Sequence, residues 1–368
     1  MSKKIQNNMK YPESAKSPEG KKLKIALIFG GQSGEHEVSL SSAISIMDTL
    51  NKEKYDITLI AITKKGNWLI GDLGMKYMKE NKLYAGKEGA ISIKQSEALV
   101  QEKNIDIQKI KEQDLIFPIL HGPYGEDGKI QGFFDTLGVP YVFSGVLAHA
   151  IAMNKKYAKI LAKDSGVPVC NDLVSPKGNY NIGKLIYPLI IKPLELGSSV
   201  GIQKAENEKE LKLSLEDAWQ YGDALLEEFK EGREFTITVM EDIKSHEGGE
   251  KAKVLAITEI IPLISDFYDY KAKYEDGGSR HVCPAKIDKD LEKNLKENAI
   301  KVFKSMGCKD LARIDFVMDK DNNIYFIDLN TIPGMTKTSL APEAAQVFGL
   351  SFEEFLDKLI KANIIRNS

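Results

Sequence analysis

The run from Asp310 to Ala345, DLARIDFVMDKDNNIYFIDLNTIPGMTKTSLAPEAA, constrains the fold most, because it sets carboxylates, an arginine and an amide on two short strand-like stretches. Arg313 to Asp319 and Ile324 to Asn330 flank the turn-rich KDNN, the pattern of a β-hairpin. If Lys320 to Asn323 form the loop, Asp319 faces Ile324, Asp315 falls opposite Asp328, and Arg313 falls opposite Asn330. Side chains two apart share a face, so two carboxylates, an amide oxygen and a guanidinium would converge. That donor set suits hard Mg2+ bridging to phosphate, with the arginine on the same phosphate. It suits equally a plain salt bridge on a solvated hairpin face, and local sequence does not separate the two.

A chain of 368 residues implies two or three domains. With 51 basic against 53 acidic residues, no charge excess points to nucleic acid or an anionic membrane, so the expected partner is a small molecule. Cys170, Cys283 and Cys308 lie far apart without a C-x-x-C, which excludes a zinc ribbon and reads as free, packed thiols in a reducing cytoplasm. The first twenty residues are polar, with no apolar leader, and read as a disordered tail. No later run is long enough to span a bilayer.

From Lys24, IALIFGG followed by QSGEHEVSLSSAISIMDTL predicts strand, tight turn and helix, with Val38, Ile44 and Leu50 at helical spacing. Its glycines do not fit G-x-G-x-x-G, and G-x-x-x-x-G-K-[ST] is absent. Glu35 and Glu37 read locally as first-turn acids favouring the helix dipole. A strand over YDITLIAITKKGNW precedes a Lys- and Glu-rich insertion from Lys76 to Lys111, read as hairpin and helix. DLIFPILHG ends a buried strand at His121, and GPYGEDGKIQGFFDTLGVPYVFSG returns through a loop, a short helix and a strand; this alternation predicts an open parallel sheet to about Gly145. His149 to Gly166 reads as one helix, with Lys155, Lys159 and Lys163 forming a solvated basic stripe. A strand ending at Lys192 leads into the small-residue loop Gly197 to Gly201, able to turn backbone N–H groups towards an anion. ALLEEF and EGREFTITVM are further strands, the latter with Glu234 and Thr236 on one face. ISDFYDYKAKYEDGGSRHVCPA is too polar for core and reads as a long irregular lid. Helices over LEKNLKENAIKVFKSMG, PEAAQVFG and SFEEFLDKLIKA complete the chain.

Taken in order, GGQSGEHEVSL, LHGPYGEDGKIQG, AMNK, IIKPLELGSSVG, LLEEF with REFT, FYDYKAKY, CPA, ARIDF, DLNTIPGMT and TSLAP resemble the D-alanine–D-alanine ligases, ATP-grasp enzymes, from Lys24 to Ile364. The resemblance implies an α/β and α+β ATP-grasp fold with a Rossmann-like amino-terminal domain at 21–144, a central subdomain at 145–229 and a carboxy-terminal subdomain at 230–368. It implies that ATP-dependent ligation of two D-alanines proceeds through an acyl phosphate, supplying peptidoglycan precursor in the cytoplasm. Lys155, Lys192 and the loop with Ser198 and Ser199 would meet the ATP phosphates, and Glu227, Glu228, Phe229 and Glu234 the base and ribose. Asp315, Asp328 and Asn330 would bind two Mg2+ or Mn2+. Glu35 would hold the first D-alanine's ammonium beside His121; Arg313 and the Gly334 N–H would stabilise the oxyanion. Lys273, Ser339 and the Leu340 N–H would meet the second substrate's carboxylate, and Glu35, Ser198 and Tyr274 would couple lid closure to water exclusion. A homodimer through the amino-terminal domains is also implied.

Two departures stand out. Aspartate at position 328 replaces the family's usual glutamate and is one methylene shorter, so looser metal binding is expected. Asn154 stands where aspartate is frequent. Alternatives are a D-alanine–D-lactate or D-alanine–D-serine ligase, against which the FYDYKAKY lid with Tyr274 argues, and an inactive nucleotide-binding homologue, against which the retained Arg313, Asp315, Asn330, Lys273 and Ser339 argue.

Overall fold

The computed structural model describes residues 21–81, 105–197, 200–241, 252–264 and 277–367. The amino-terminal elements are β1 (Leu23–Gly30), α1 (His36–Thr49), β2 (Tyr55–Ile62), β3 (Trp68–Ile70), α2 (Asp72–Asn81), α3 (Ile107–Lys111), β4 (Leu115–Ile119) and α4 (Lys129–Leu137). Their strands order β3-β2-β1-β4, with β1 parallel to both neighbours. The sheet is not wholly parallel, because residues 63–67 are too few for a crossover and β3 folds back antiparallel on β2. The strand expected after α4 is reduced to one bridge from Tyr141 to Ile116. On α1 the buried apolar side chains are Leu40, Ala43 and Ile46, while Val38 and Ile44 are only partly covered. Gly30 ends β1 at φ +91°, where a Cβ would lie 2.2 Å from the Ile62 carbonyl oxygen, so only glycine turns the chain here. The hairpin expected within 76–111 falls mostly on 82–104, outside the described residues.

The single helix expected from His149 to Gly166 is two, α5 (Val146–Met153) and α6 (Lys155–Asp164). Asn154 breaks it with ψ 99°, and its side chain accepts from the Tyr157 N–H, so an N-cap replaces a helical turn. Next come β5 (Asp172–Ser175), β6 (Leu189–Pro193), β7 (Gln203–Ala205), α7 (Glu208–Ala218) and β8 (Ala224–Glu228). These strands form an antiparallel sheet in the order β5-β8-β6-β7, over a core of Leu189, Ile191, Leu211, Leu215 and Leu226.

The remaining elements are β9 (Gly232–Glu241), β10 (Ala252–Pro262), β11 (Ser279–Val282), α8 (Lys289–Ser305), β12 (Leu311–Asp319), β13 (Ile324–Asn330), α9 (Leu340–Val347) and α10 (Phe352–Asn367). Their sheet orders β11-β10-β9-β12-β13. Phe235, Ile237, Phe316 and Phe326 share its core with α8 and with Ala158 and Ala162 of α6. The end of the segment expected to be irregular is strand β11, paired with β10 from Glu259 to Pro262. A second core joins the amino-terminal sheet, through Phe29 and Phe117, to Ile332, Met335 and the Phe355 and Leu359 side chains of α10.

Asp310 ties these layers together. It is buried and in the left-handed region at φ +56°. Its carboxylate accepts from the Phe143 N–H at 2.7 Å, from Asn363 Nδ2 at 2.6 Å and from Arg366 Nη2 at 2.8 Å. Arg366 also reaches Glu241 at 2.6 Å. Removing the acceptor strands the buried Phe143 N–H and leaves Asn363 Nδ2 with only the Leu359 carbonyl and Arg366 Nη2 with only Glu241, so Asp310→Ala is expected to lower unfolding free energy by about 3 kcal/mol. Urea unfolding checks this: the midpoint should drop at constant slope, and an unmoved midpoint would show that Asp310 contributes nothing.

Candidate active site

The hairpin β12–β13 pairs Arg313 with Asn330 and Asp315 with Asp328. The expected loop alignment differs: Met318, not Asp319, pairs with Ile324, and a bulge between Asp315 and Phe316 restores the upstream register. Asp319 caps the turn, its Oδ1 accepting from the Asp321 N–H at 3.0 Å and the Asn323 N–H at 2.9 Å. Arg313 Nε and Nη2 each lie 3.2 Å from the Asp315 carboxylate, a two-pronged grip. Thr236 of β9, directly opposite Asp315, donates to its Oδ1 at 2.5 Å. Asp328 Oδ1 accepts its neighbour's N–H, and Asn330 Oδ1 accepts from the Ile332 N–H at 3.0 Å.

These groups fit a hard divalent cation in kind, since all are oxygens. Among the described residues no three of histidine, cysteine, aspartate and glutamate converge to hold a metal alone. Two carboxylates and one amide would therefore need completion by phosphate oxygens and water.

Facing the hairpin, a cleft is lined by Lys155, Lys192, Glu227, Glu228, Phe229, Glu234, Asp315 and Asp328, bringing together the residues expected from AMNK, IIKPLELGSSVG, LLEEF with REFT, ARIDF and DLNTIPGMT. At its base Glu227 receives Lys159 Nζ at 2.8 Å and Lys192 Nζ at 2.5 Å. Burial would raise the Glu227 carboxyl, but Lys192 and Lys159 outweigh it and hold it well below the usual range. Burial likewise opposes charge on Lys192, and Glu227 reverses this and raises it. Lys155 Nζ donates to the Leu196 carbonyl at 2.5 Å, and Asn154 Nδ2 to Glu195 at 2.6 Å, anchoring the segment before Ser198. The N–H groups of Glu228 and Phe229 are already bonded to the Asn171 and Pro188 carbonyls.

On the amino-terminal side, Glu35 stands at the N-cap of α1 without capping it. A Cβ on Gly122 would lie 3.0 Å, and one on Gly197 3.3 Å, from Glu35 Oε2, so this carboxylate sits between two close-packed backbones. Glu37, in the first turn of α1, pairs with Lys64 at 2.5 Å. His121 is buried beside Glu35; burial lowers its imidazole below the ordinary value despite that carboxylate. Its Nε2 has no hydrogen-bond partner among the described residues. Beyond the hairpin, a Cβ on Gly334 would lie 3.1 Å from Ser339 Oγ, which accepts from the Thr336 N–H at 3.1 Å. Leu340 opens α9, where an amide has no carbonyl within its own helix to meet. Ser198, Ser199, Lys273 and Tyr274 lie outside the described residues.

Two buried residues at the site escaped the sequence reading. Lys159 is 2% exposed, not part of a solvated stripe. The buried face of α6 runs through 155, 158, 159 and 162, and Ala158 and Ala162 mark it in the sequence. Glu126, inside the glycine-rich GPYGEDG, accepts from the Gly122 N–H at 2.7 Å and the Ile332 N–H at 3.3 Å. Its only sequence signal is an acid among glycines after a buried strand.

Family models described as "D-ala D-ala ligase N-terminus" and "D-ala D-ala ligase C-terminus" match residues 24–144 and 175–361. The chain is 40% identical to D-alanine–D-alanine ligase B of Clostridium tetani, over 94% of each. Among solved structures it is similar to the VanG D-Ala:D-Ser ligase from Enterococcus faecalis, with 33% identity, TM-score 0.76, and coverage of 92% of this chain and 99% of that one. It is also similar to the D-alanine–D-alanine ligase from Coxiella burnetii, with 28% identity, TM-score 0.75, and coverage of 94% and 95%.

Burial, with Glu35 nearby, pushes the Glu126 carboxyl up to about 8. Between the ordinary carboxyl value and 8 the folded chain binds this proton and the unfolded chain does not, so this group lowers stability as pH rises through that window. Glu126→Gln, which keeps a neutral side chain, should gain stability relative to the parent by about 2–4 kcal/mol between pH 5 and pH 8. Urea midpoints at both pH values test it; a constant difference would mean Glu126 is ionised throughout.

Proposed function

Because the chain belongs to the D-alanine–D-alanine ligase family, we propose that its cleft joins two D-alanines into D-alanyl-D-alanine at the expense of ATP, supplying peptidoglycan precursor. The observation that carries this reading is the convergence on one cleft of Lys155, Lys192 and Glu227 with Asp315 and Asp328. A carboxylate is a poor electrophile, and transfer of a phosphoryl group from ATP makes it an acyl phosphate with a good leaving group. The amine of the second substrate then attacks the carbonyl carbon, the carbon–phosphate oxygen bond breaks, and inorganic phosphate leaves.

In this scheme Lys155, Lys192 and the loop with Ser198 and Ser199 grip the phosphates, while Glu227, Glu228, Phe229 and Glu234 take base and ribose. With their N–H groups bonded elsewhere, Glu228 and Phe229 contribute carbonyls and side chains. Glu35 receives the first D-alanine's ammonium, with His121 beside it. Arg313 and the Gly334 N–H face the developing oxyanion, donors worth about 3 kcal/mol each. Ser339, the Leu340 N–H and Lys273 receive the second carboxylate, the amide lying at a helix start that favours anions. Glu35, Ser198 and Tyr274 link the three parts across the closed site, excluding water from the acyl phosphate.

Asp315, Asp328 and Asn330 would hold Mg2+ or Mn2+, which when bound neutralises phosphate charge. We retain the division at 21–144, 145–229 and 230–368, the homodimer through the amino-terminal domains and the cytoplasmic setting as parts of the same proposal. No helix of the described residues is long and apolar enough to cross a membrane.

Phosphate release with ATP, Mg2+ and D-alanine is expected, with D-alanyl-D-alanine identified by mass and L-alanine inert. A D-serine or D-lactate product as the main species would move the function to the related ligases, and no D-alanine-dependent release would refute ligation. The short Asp328 is expected to weaken metal activation: Asp328→Glu should lower the half-saturating Mg2+ concentration by about tenfold. An unchanged or higher value would show that the hairpin already compensates for the missing methylene.

A further inference from the structure

We propose that Lys159 is a positioning residue that aims the Glu227 carboxylate at the base of the bound nucleotide and so sets the preference for a 6-amino purine. This rests on the reading of the cleft as an adenine-nucleotide site. Lys159 does not line the cleft; it lies behind Glu227, which does.

The sheet register gives Lys159 its task. On neighbouring strands β5 and β8, Asp172 falls directly opposite Glu227. Two acids in that position repel. Lys159 Nζ stands between them, 2.8 Å from Glu227 Oε1 and 3.4 Å from Asp172 Oδ2. The array continues outward on both sides, with Lys156 on Asp172 Oδ1 and Lys192 on Glu227 Oε2 at 2.5 Å. Lysine and acid thus alternate through five side chains.

The consequence for the ligand follows from lone pairs. An ionised carboxylate only accepts hydrogen bonds. With Oε1 engaged by Lys159 from behind, Glu227, which lines the cleft, is held in one orientation and charge state, and Oε2, which Lys192 also reaches, keeps a second lone pair for a ligand. An exocyclic amino group donates to that oxygen, a hydrogen at the same ring position gains nothing, and a 6-oxo group places acceptor against acceptor. Without Lys159, Glu227 can turn both oxygens to Lys192, which removes the acceptor from the base.

Lys159→Met leaves two paired bridges, Lys156 with Asp172 and Lys192 with Glu227, so no acid is stranded and the fold is expected to persist. The test compares kcat/KM for ATP, inosine triphosphate and purine riboside triphosphate, the last bearing only hydrogen at position 6. The parent should favour ATP over purine riboside triphosphate by about tenfold or more. In Lys159→Met that ratio should collapse to below about threefold, through loss on ATP, with purine riboside triphosphate changed by less than about twofold. Inosine triphosphate should gain relative to ATP. An equal loss on all three nucleotides would mean a merely structural role and overturn the proposal, as would an unchanged ratio. A parent that takes ATP and purine riboside triphosphate equally would overturn the base reading itself, and the proposal with it. If Lys159→Met does not give the parent's circular dichroism, Asp172→Asn carries the same test. It loosens the Lys159 anchor while retaining the ammonium, and its ratio should fall by about threefold or more; no fall overturns the proposal.

Discussion

Ile314, Phe316, Phe326 and Leu329 lie buried on one face of β12 and β13, and this burial fixes the register that sets Arg313 against Asn330 and Asp315 against Asp328. A slip of one residue would turn a strand over, driving its charged side chains into the core and its aromatic ones to the cleft. Desolvating an unpaired carboxylate or guanidinium costs far more than the strand could regain. The bulge is part of this arrangement. It lets the turn end follow one register and the site end another, so the tight Asp319-capped turn and the chemical pairing coexist. On the other side β9 sets Thr236 opposite Asp315, and Glu234 opposite Val317, extending the same polar face into the cleft.

Buried charge at the site is managed in two different ways. Where opposite signs alternate, as around Glu227, the contacts outweigh burial: Lys192 and Lys159 hold the Glu227 carboxyl low, and Glu227 raises Lys192. Where, among the described residues, no group of opposite charge outweighs burial, protonation state gives way instead: Glu126 is raised to about 8, and burial drives His149 down to about 3 with its Nδ1 bonded to Thr331 Oγ1 at 2.6 Å. The first mode preserves a strong acceptor in the cleft. The second removes charge from the backing of the hairpin, where Thr331 follows Asn330 and the Ile332 N–H is shared between Asn330 and Glu126.

Local chemistry made the hairpin pairs, the placement of Arg313 beside Asp315, and the strand-end position of His121 readable from sequence, because period-two alternation and turn residues act over a few positions. What failed to show was set by distant partners. Lys159 looked solvated since lysine usually is, and its burial depends on Asp172 and Glu227, 13 and 68 residues away. Asn154 breaks a helix whose propensity runs through it, because its side chain caps the next turn and also ties to Glu195. The strand β11 was hidden in a polar segment, since an edge strand needs backbone partners more than apolar side chains. The setting of Glu35 was hidden for a similar reason: the approach of Gly122 and Gly197 to its carboxylate comes from distant parts of the chain.

Those approaches make the surroundings of Glu35, where the first substrate is proposed to bind, a product of docking between layers and not of any one of them. Glu35 comes from the start of α1, Gly122 follows β4, Gly197 follows β6, and Ile332 follows β13. Their mutual placement requires the amino-terminal sheet to sit on α9 and α10 through the shared core, with Asp310 and Arg366 fastening the joint at Phe143. A ligand held between Glu35 and Arg313, as proposed, would touch groups whose separation is set by that joint. Binding must stabilise the docked arrangement by mass action, and weakening the joint weakens binding to the extent that it depopulates the docked state. The polar fastening at Asp310 is for this reason as much a determinant of the site as the residues that line it.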